Sequence, residues 1–433
     1  MSDAPGVAEA ARRIRAGTLS SEALVRSCLE RIAGREAAVG AWAWMDPERA
    51  LAAGREADRS RPTGPLHGVP IAAKDIIDTF DMPTGLGFEP YAARQPSWDA
   101  ACVAACRRAG AIVLGKTVTT EFAYFAPGKT RNPIDLNATP GGSSSGSAAA
   151  VADGMVPMAF GSQTAGSLVR PAAFCGIYGY KGSHGEFSLA GIRPLSESLD
   201  SLGVLARCVE DLRLVRDVLL DRPLTEAVEW TRPPRLGLYK TMHWEAVQPA
   251  GRAAVETAVE RLRTAGAQVE ILEAPASLGP IEDAQRAVMA YEAAHGYAFE
   301  CTRYARELSP QFRALCDQGR AIARGQYLDA LGQIATAQSD FARAFAGFDA
   351  WIGASALGEA PPASQGTGDP VLSRPWTALQ APAVAIPVDS GPRGLPLGIQ
   401  LLSPKGSDDT LLATAAWVAE RLARTRYDRH QRP

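Results

Sequence analysis

Gly141-Gly142-Ser143-Ser144-Ser145-Gly146-Ser147 is the stretch on which the reading of this chain turns, together with a second small-residue cluster, Thr164-Ala165-Gly166-Ser167. Consecutive glycines at 141 and 142 free the backbone to turn, and the second cluster is likewise built of small side chains. Upstream, Val69-Pro70-Ile71-Ala72-Ala73-Lys74-Asp75 ends an apolar run on a lysine. A serine hydroxyl with no histidine beside it needs another base before it can act as a nucleophile, and Lys74 is the candidate.

Working outward, the block from Gly68 to about Asp211 alternates apolar runs such as Val69 to Ala73 and Ala111 to Leu114 with helical stretches and glycine-rich turns. That texture indicates an α/β sheet with its site on connecting loops. The first 60 residues read as helices, with Ser20 as a cap before Leu24, Val25, Cys28, Leu29 and Ile32 at helical spacing. After Arg232-Pro233-Pro234, a short strand over Leu236 to Tyr239 is followed by long helical patterns at Ala253 to Thr264, Ile281 to Leu308 and Ile322 to Phe345. Strand character returns in Ala383 to Val388 and Leu397 to Leu402, before a closing helix from about Asp408 to Arg424. The expected organisation is one α/β domain over 1-433, a central mixed sheet covered by helices on both faces. Its parts are N-terminal helices (1-62), a catalytic core (63-215), a variable helical insertion (216-345), and C-terminal strands and a helix completing the sheet (346-433).

Bulk composition narrows the function classes. The 433 residues are 46% hydrophobic and 21% charged with a net charge of -2, an ordinary globular balance that gives no electrostatic footprint for nucleic acid or anionic membrane. No run of about 18 apolar residues and no N-terminal apolar segment is present, so a soluble, cytoplasmic protein is expected. Its expected partner is a small molecule, and the reading allows a homodimer. Seven scattered cysteines fit reduced thiols, and Cys102 and Cys106 lack the further ligands of a zinc site, so neither metal nor disulfide framework is expected.

Two pattern matches compete for the chemistry. Gly110-Ala111-Ile112-Val113-Leu114-Gly115-Lys116-Thr117 satisfies the P-loop pattern letter for letter. Its middle residues form an apolar run suited to a buried strand, however, and a phosphate cradle needs a loop with exposed N-H groups. Gly142-Ser143-Ser144-Ser145-Gly146 matches the nucleophile elbow of α/β hydrolases with Ser144 as nucleophile. The preceding Leu136-Asn137-Ala138-Thr139-Pro140-Gly141 is too turn-rich for the required strand, and none of His67, His184, His243, His295 or His430 stands in a triad context.

A longer match comes from resemblance. Gly68-Val69-Pro70 leading to Lys74-Asp75, Gly115-Lys116-Thr117, Glu121-Phe122-Ala123, the run from Pro140 to Ala152, Gly166-Ser167 and Pro171-Ala172-Ala173-Phe174-Cys175-Gly176 together resemble the amidase signature family of serine hydrolases. Weaker agreement reaches Asp200, Gly203 and Gly394 to Gln400, whereas the region after Asp221 agrees hardly at all. The resemblance implies a Ser-cisSer-Lys unit: Ser167 as nucleophile, Ser143 as relay with a cis peptide at Gly142-Ser143, and Lys74 as base. The backbone N-H groups around Thr164, Ala165, Gly166 and Ser167 would form the oxyanion hole. It implies acyl transfer from an amide to Ser167 and then to water, with no cofactor.

Physical chemistry adds conditions to that scheme. Lysine is a base only when neutral, so Lys74 must be desolvated, and Asp75 must turn away from it. Ser144, Ser145, Ser147 and Lys116 are expected to be structural. The family wording around the nucleophile is Gly-Thr-Asp-Thr-Gly-Gly-Ser-Ile-Arg, whereas Gly161-Ser162-Gln163-Thr164-Ala165-Gly166-Ser167-Leu168-Val169-Arg170 replaces the acid by Gln163 and moves the arginine one place. In an extended segment such a shift sends the side chain to the opposite face. This displacement, with Lys74 to Thr79 and Met82-Pro83-Thr84, looks most like the malonamidase branch, in which Arg170 would hold a substrate carboxylate. A buried ion pair is the alternative for Arg170. Two other roles stay open for the chain: the amidase subunit of a tRNA-dependent amidotransferase, and a non-catalytic binding protein on an amidase fold.

Overall fold

The computed structural model describes residues 4–224, 230, 232–273 and 275–430, with backbone alone from 424 onward. Its strands are β1 (Trp42–Met45), β2 (Pro70–Lys74), β3 (Ile112–Thr117), β4 (Met158–Gln163), β5 (Tyr178–Lys181) and β6 (Ser201–Ala206), then β7 (Arg235–Tyr239), β8 (Gln268–Leu272), β9 (Ala350–Ala354), β10 (Ala383–Ser390) and β11 (Pro396–Leu402). All eleven join one sheet in the order β1-β3-β2-β4-β6-β5-β10-β11-β9-β7-β8. Pairing is parallel where β2 meets β3 and β4 and where β7 meets β8 and β9, and antiparallel elsewhere, which makes the sheet mixed.

The strands nearest the glycine and serine clusters are buried along their whole length. Every residue of β2, β3 and β4 is buried, which explains their near-continuous apolar character. The P-loop lookalike is β3, and its register with β2 sets Lys74 opposite Thr117. Lys74 thus ends a strand held on both sides, and a strand end inside a sheet is a rigid mount.

The N-terminal helices are α1 (Val7–Arg15), α2 (Ser21–Val39) and α3 (Pro47–Arg59), followed by α4 (Ala101–Arg108). Ser20 caps α2 by accepting from Ala23 N. The serine run leads into α5 (Ser145–Ala152), which packs on β2, β3, β4 and β6, and α6 (Val169–Cys175) lies beside it on β5, β10 and β11. Gly146 lets α5 sit this close: a Cβ there would lie 2.2 Å from Ala41 O and 2.4 Å from Val118 N. The helices α7 (Val209–Leu219) and α8 (Pro249–Thr264) cover the other face, with α14 (Asp408–His430) packed against both. Between them in the chain come α9 (Ile281–Gly296), α10 (Ala298–Arg303), α11 (Pro310–Ala321), α12 (Arg324–Ala344) and the short α13 (Arg374–Ala378).

Several local expectations change. The segment 216–345 contributes β7 and β8 to the sheet as well as helices. The strand β8 escaped notice because Gln268-Val269-Glu270-Ile271-Leu272 lies at the sheet edge, where no residue is fully buried and no apolar run is required. The helical pattern from Ile281 to Leu308 is two helices that meet at Tyr297, and α11 follows where Ser309 accepts from Phe312 N and Pro310 takes the first helical position. No helix among the described residues is long and apolar enough to cross a membrane.

Candidate active site

Lys74 is fully buried at the end of β2, and its Nζ lies 2.8 Å from Ser143 Oγ and 2.8 Å from Ser162 Oγ. Desolvation pulls its pKa down to about 7, with only the charge of Asp200 opposing the shift. Asp75 points elsewhere: its Oδ1 accepts from Gly85 N at 2.9 Å and its charge acts on Lys116. Lys116 is itself buried in β3, where it donates to Ile77 O and to Thr84 Oγ1. The two lysines of the sequence match therefore sit in separate surroundings, and only Lys74 touches serines.

Ser143 follows a cis Gly142-Ser143 peptide. Gly141 adopts φ +82°, and a Cβ there would lie 2.8 Å from Pro171 Cα, so the turn excludes larger residues. Ser143 and Ser167 both line one narrow chamber, together with Thr164, Ala165, Gly166 and Arg170. No direct hydrogen bond joins the two hydroxyls. The other serines have structural partners: Ser144, at the N-terminal boundary of α5 without a side-chain cap bond, donates its N-H to Ser167 O (3.2 Å), Ser145 Oγ donates to Val118 O, and Ser147 Oγ donates to Phe160 O. Ser144 Oγ is fully enclosed and lies 3.3 Å from both N and O of Ser162, which leaves it no access to substrate.

The segment Thr164 to Ser167 has every carbonyl engaged. Gln285 Nε2 donates to Thr164 O (2.9 Å), Thr377 Oγ1 to Ala165 O (3.0 Å), Arg170 N to Gly166 O (3.1 Å) and Ser144 N to Ser167 O. In a planar trans peptide the C=O and N-H point in opposite directions, so each carbonyl drawn back turns the next N-H forward. Among the described residues the amides of Ala165, Gly166 and Ser167 have no acceptor. Three free donors beside a hydroxyl form an arrangement able to receive an oxyanion. Gln163 braces the loop with both ends of its amide: Oε1 accepts from Leu168 N and Val169 N, while Nε2 donates to Thr377 Oγ1. A carboxylate in its place could not donate to Thr377.

Arg170 lies on α6, so its displacement by one residue turns the side chain by about 100° instead of reversing its face. Its Nη2 donates to Gly142 O (2.6 Å) and Thr367 Oγ1 (3.3 Å), its guanidinium stands 5.9 Å from the Phe125 ring centre, and Nε and Nη1 have no partner. It forms no ion pair with any described residue. Burial, aided by Arg374, lowers its pKa to about 9 against the pull of Asp369, which leaves it charged at neutral pH. Beyond Tyr124, Phe125, Met289 and Pro370, which border both spaces, lies a larger, more open vestibule.

Ser162, Gln285, Thr367 and Thr377 escaped the sequence reading. Ser162 lies in β4 two residues before the second cluster, but a strand hydroxyl carries no mark of its partner. Gln285 and Thr377 lie more than a hundred residues from the loop they hold, and one chain offers no signal for such a contact. No group of residues suited to a metal occurs among the described residues; Cys102 and Cys106 are buried on α4, with the Cys102 thiol pushed up to about 12 by desolvation.

A buried lysine, serine hydroxyls and unpaired amides meet beside a mixed, helix-covered sheet, a setting suited to an α/β hydrolase. The chain belongs to the Amidase family, whose profile matches residues 23–412. That match runs through the region after Asp221, where the motifs fade. Among curated proteins it is 33% identical to one component of the glutamyl-tRNA(Gln) amidotransferase of Symbiobacterium thermophilum, covering 94% of this chain and 95% of that one. Among solved structures it is similar to an amidase at 30% identity and TM-score 0.89 (96% and 100% covered). It is also similar to the peptide amidase of Stenotrophomonas maltophilia at 29% identity and TM-score 0.84 (97% of each). The protein is an amide-hydrolysing enzyme.

Proposed function

We propose that the enzyme hydrolyses the linear amide of a small molecule through a seryl acyl-enzyme, with Ser167 as nucleophile, Ser143 as relay and Lys74 as base. The observation that carries this reading is the 2.8 Å contact from a buried lysine to Ser143, with the lysine pKa at about 7. A neutral Nζ accepts the Ser143 proton while Ser143 takes that of Ser167, whose oxygen bonds to the amide carbon. The carbonyl oxygen becomes negative against the amides of Ala165, Gly166 and Ser167. Collapse breaks the C-N bond; the amine leaves with the proton returned through Ser143, and water repeats the sequence to release the acid. The shared chamber without a Ser143 to Ser167 bond suits a proton path that tightens when substrate fills the space.

The unpaired Nε and Nη1 of Arg170 beside this chamber support a carboxylate-bearing amide, the preference expected of a malonamidase-like enzyme. The curated relatives give a second reading, the amidase component of a tRNA-dependent amidotransferase. It would add partner proteins and a nucleic acid that the net charge of -2 does little to attract. Incubating the purified chain alone with a panel of small amides separates the two. Ammonia or amine release that disappears in Ser167→Ala supports the lone hydrolase, and release only with added partner proteins overturns it in favour of the second reading.

A further inference from the structure

Arg374, the first residue of α13, is a second buried arginine that the proposed chemistry leaves unused. It is 4% exposed and lies on the wall of the vestibule outside the reaction chamber. Its Nη1 donates to Gln285 Oε1 at 2.5 Å, its Nε has no partner, and it forms no ion pair with any described residue. A buried guanidinium is expensive unless an anion accompanies it, and one amide oxygen is a poor substitute for a carboxylate. The nearby acids Asp369 and Glu282 act on Arg374 through their charge but make no direct ion pair with it, and Glu282 is engaged by His243 at 2.6 Å. Glu359 is held by Arg393 at 3.2 Å and by the amides of Arg393 and Leu395, and Asp369 Oδ1 accepts from Val371 N. Arg286 lines the same space and adds positive charge.

Gln285 connects this arginine to the reacting centre. Its Oε1 receives Arg374 and its Nε2 holds Thr164 O, so one side chain bridges the vestibule wall and the oxyanion loop. We propose that Arg374 binds an anionic group, a carboxylate in the simplest case, on the part of the substrate remote from the scissile amide. Arg170 lines the inner chamber and Arg374 the vestibule, so the two arginines read different positions along one molecule. The substrate class is an amide whose acidic end lies several bonds from the reacting carbonyl. This rests on the reading that Ser167 attacks in the inner chamber.

The test uses the full chain and two substrate series, ω-carboxyalkanamides and N-(ω-carboxyalkyl)acetamides, each beside methyl-terminated mates. In one series wild type is expected to favour the acid. Arg374→Gln is expected to remove at least about 10-fold of kcat/KM for the acid while the methyl mate changes little. Equal losses for both members would leave Arg374 as a positioning residue for Gln285 and overturn the proposal, as would a wild type indifferent to the charge. Arg374→Lys, which keeps the charge without the planar fork, is expected to lose part of the preference, and an unchanged preference overturns the proposal even where the Gln variant fails to fold. Calorimetric binding to Ser167→Ala separates this idea from the catalytic reading. Tighter binding of the acid that vanishes on adding Arg374→Gln supports the subsite even without turnover in wild type, and turnover with equal binding of acid and mate removes the subsite alone.

Discussion

Ser162 Oγ stands 2.8 Å from Lys74 Nζ, the same distance as Ser143 Oγ. A neutral amine has one lone pair, and it can accept from Ser143 only if its own N-H bonds point elsewhere. Ser162 supplies that other direction. Ser162→Ala is expected to lower kcat by about 10-fold, the scale of one net hydrogen bond, with little change in KM. Steady-state kinetics on any turned-over amide decides it, and an unaltered kcat would make Ser162 a spectator.

The pH dependence follows from the depressed lysine. Below about 7 Lys74 is protonated and cannot accept a proton; above that it is neutral and competent. The logarithm of kcat/KM is expected to climb with pH to a break near 7 and then level off. Lys74→Ala should lose about 10²- to 10⁴-fold, the usual contribution of a general base. A break in the ordinary lysine range would show that Nζ is solvated in the working enzyme.

Labelling distinguishes the serines. A fluorophosphonate is expected to modify Ser167 alone, identified by peptide mass spectrometry, because Ser167 opens on the chamber while Ser144 is enclosed. Modification of Ser144 would revive the elbow pattern.

The bracing of the loop from Thr164 to Ser167, the proposed oxyanion site, is open to test at Thr377. Thr377→Val removes the hydroxyl that joins Gln163 Nε2 to Ala165 O and leaves both buried groups unpaired. Stability should fall by about 1-3 kcal/mol and kcat by about 10-fold or more. A normal kcat in a stable variant would mean that the free amides keep their direction without it.

Lys181 gives a prediction about stability. It is buried in β5, donates among the described residues only to Gly182 O at 3.0 Å, and has its pKa drawn down to about 7 by desolvation, with Asp408 opposing. A base depressed on folding adds stability above its unfolded pKa and loses it as pH falls through the folded value. Lys181→Met is therefore expected to melt above wild type near neutral pH by a margin worth a few kcal/mol. That margin should shrink as pH rises toward the ordinary lysine range. A margin independent of pH would assign the change to packing.

Legibility differed between the parts of the molecule. The central strands could be read because burial on both faces forces continuous apolar runs, as in Ile112 to Leu114, and Lys74, Ser143 and Ser167 stand out as candidates because family wording surrounds each of them. The edge strand β8 and the break at Tyr297 were hidden: an edge needs no apolar run, and a helix pair can keep one periodicity through a bend. Arg170 shows the limit from the other side. Its displacement was visible, but whether it meant a reversed face or a partial turn depended on α6 being helical. Gln285 and Thr377 could not be found at all, since their importance lies in a carbonyl they meet far along the chain.

Lys74, Ser143 and Ser167, the proposed base, relay and nucleophile, come from a strand end, a tight turn and a braced loop between residues 74 and 167, whereas Gln285, Thr367, Arg374 and Thr377, which surround them, come from the later half of the chain. The two halves can therefore change at different rates. Drift in the later half can alter which molecule is admitted while the proton-handling set stays intact, so relatives with one reaction can diverge in diet.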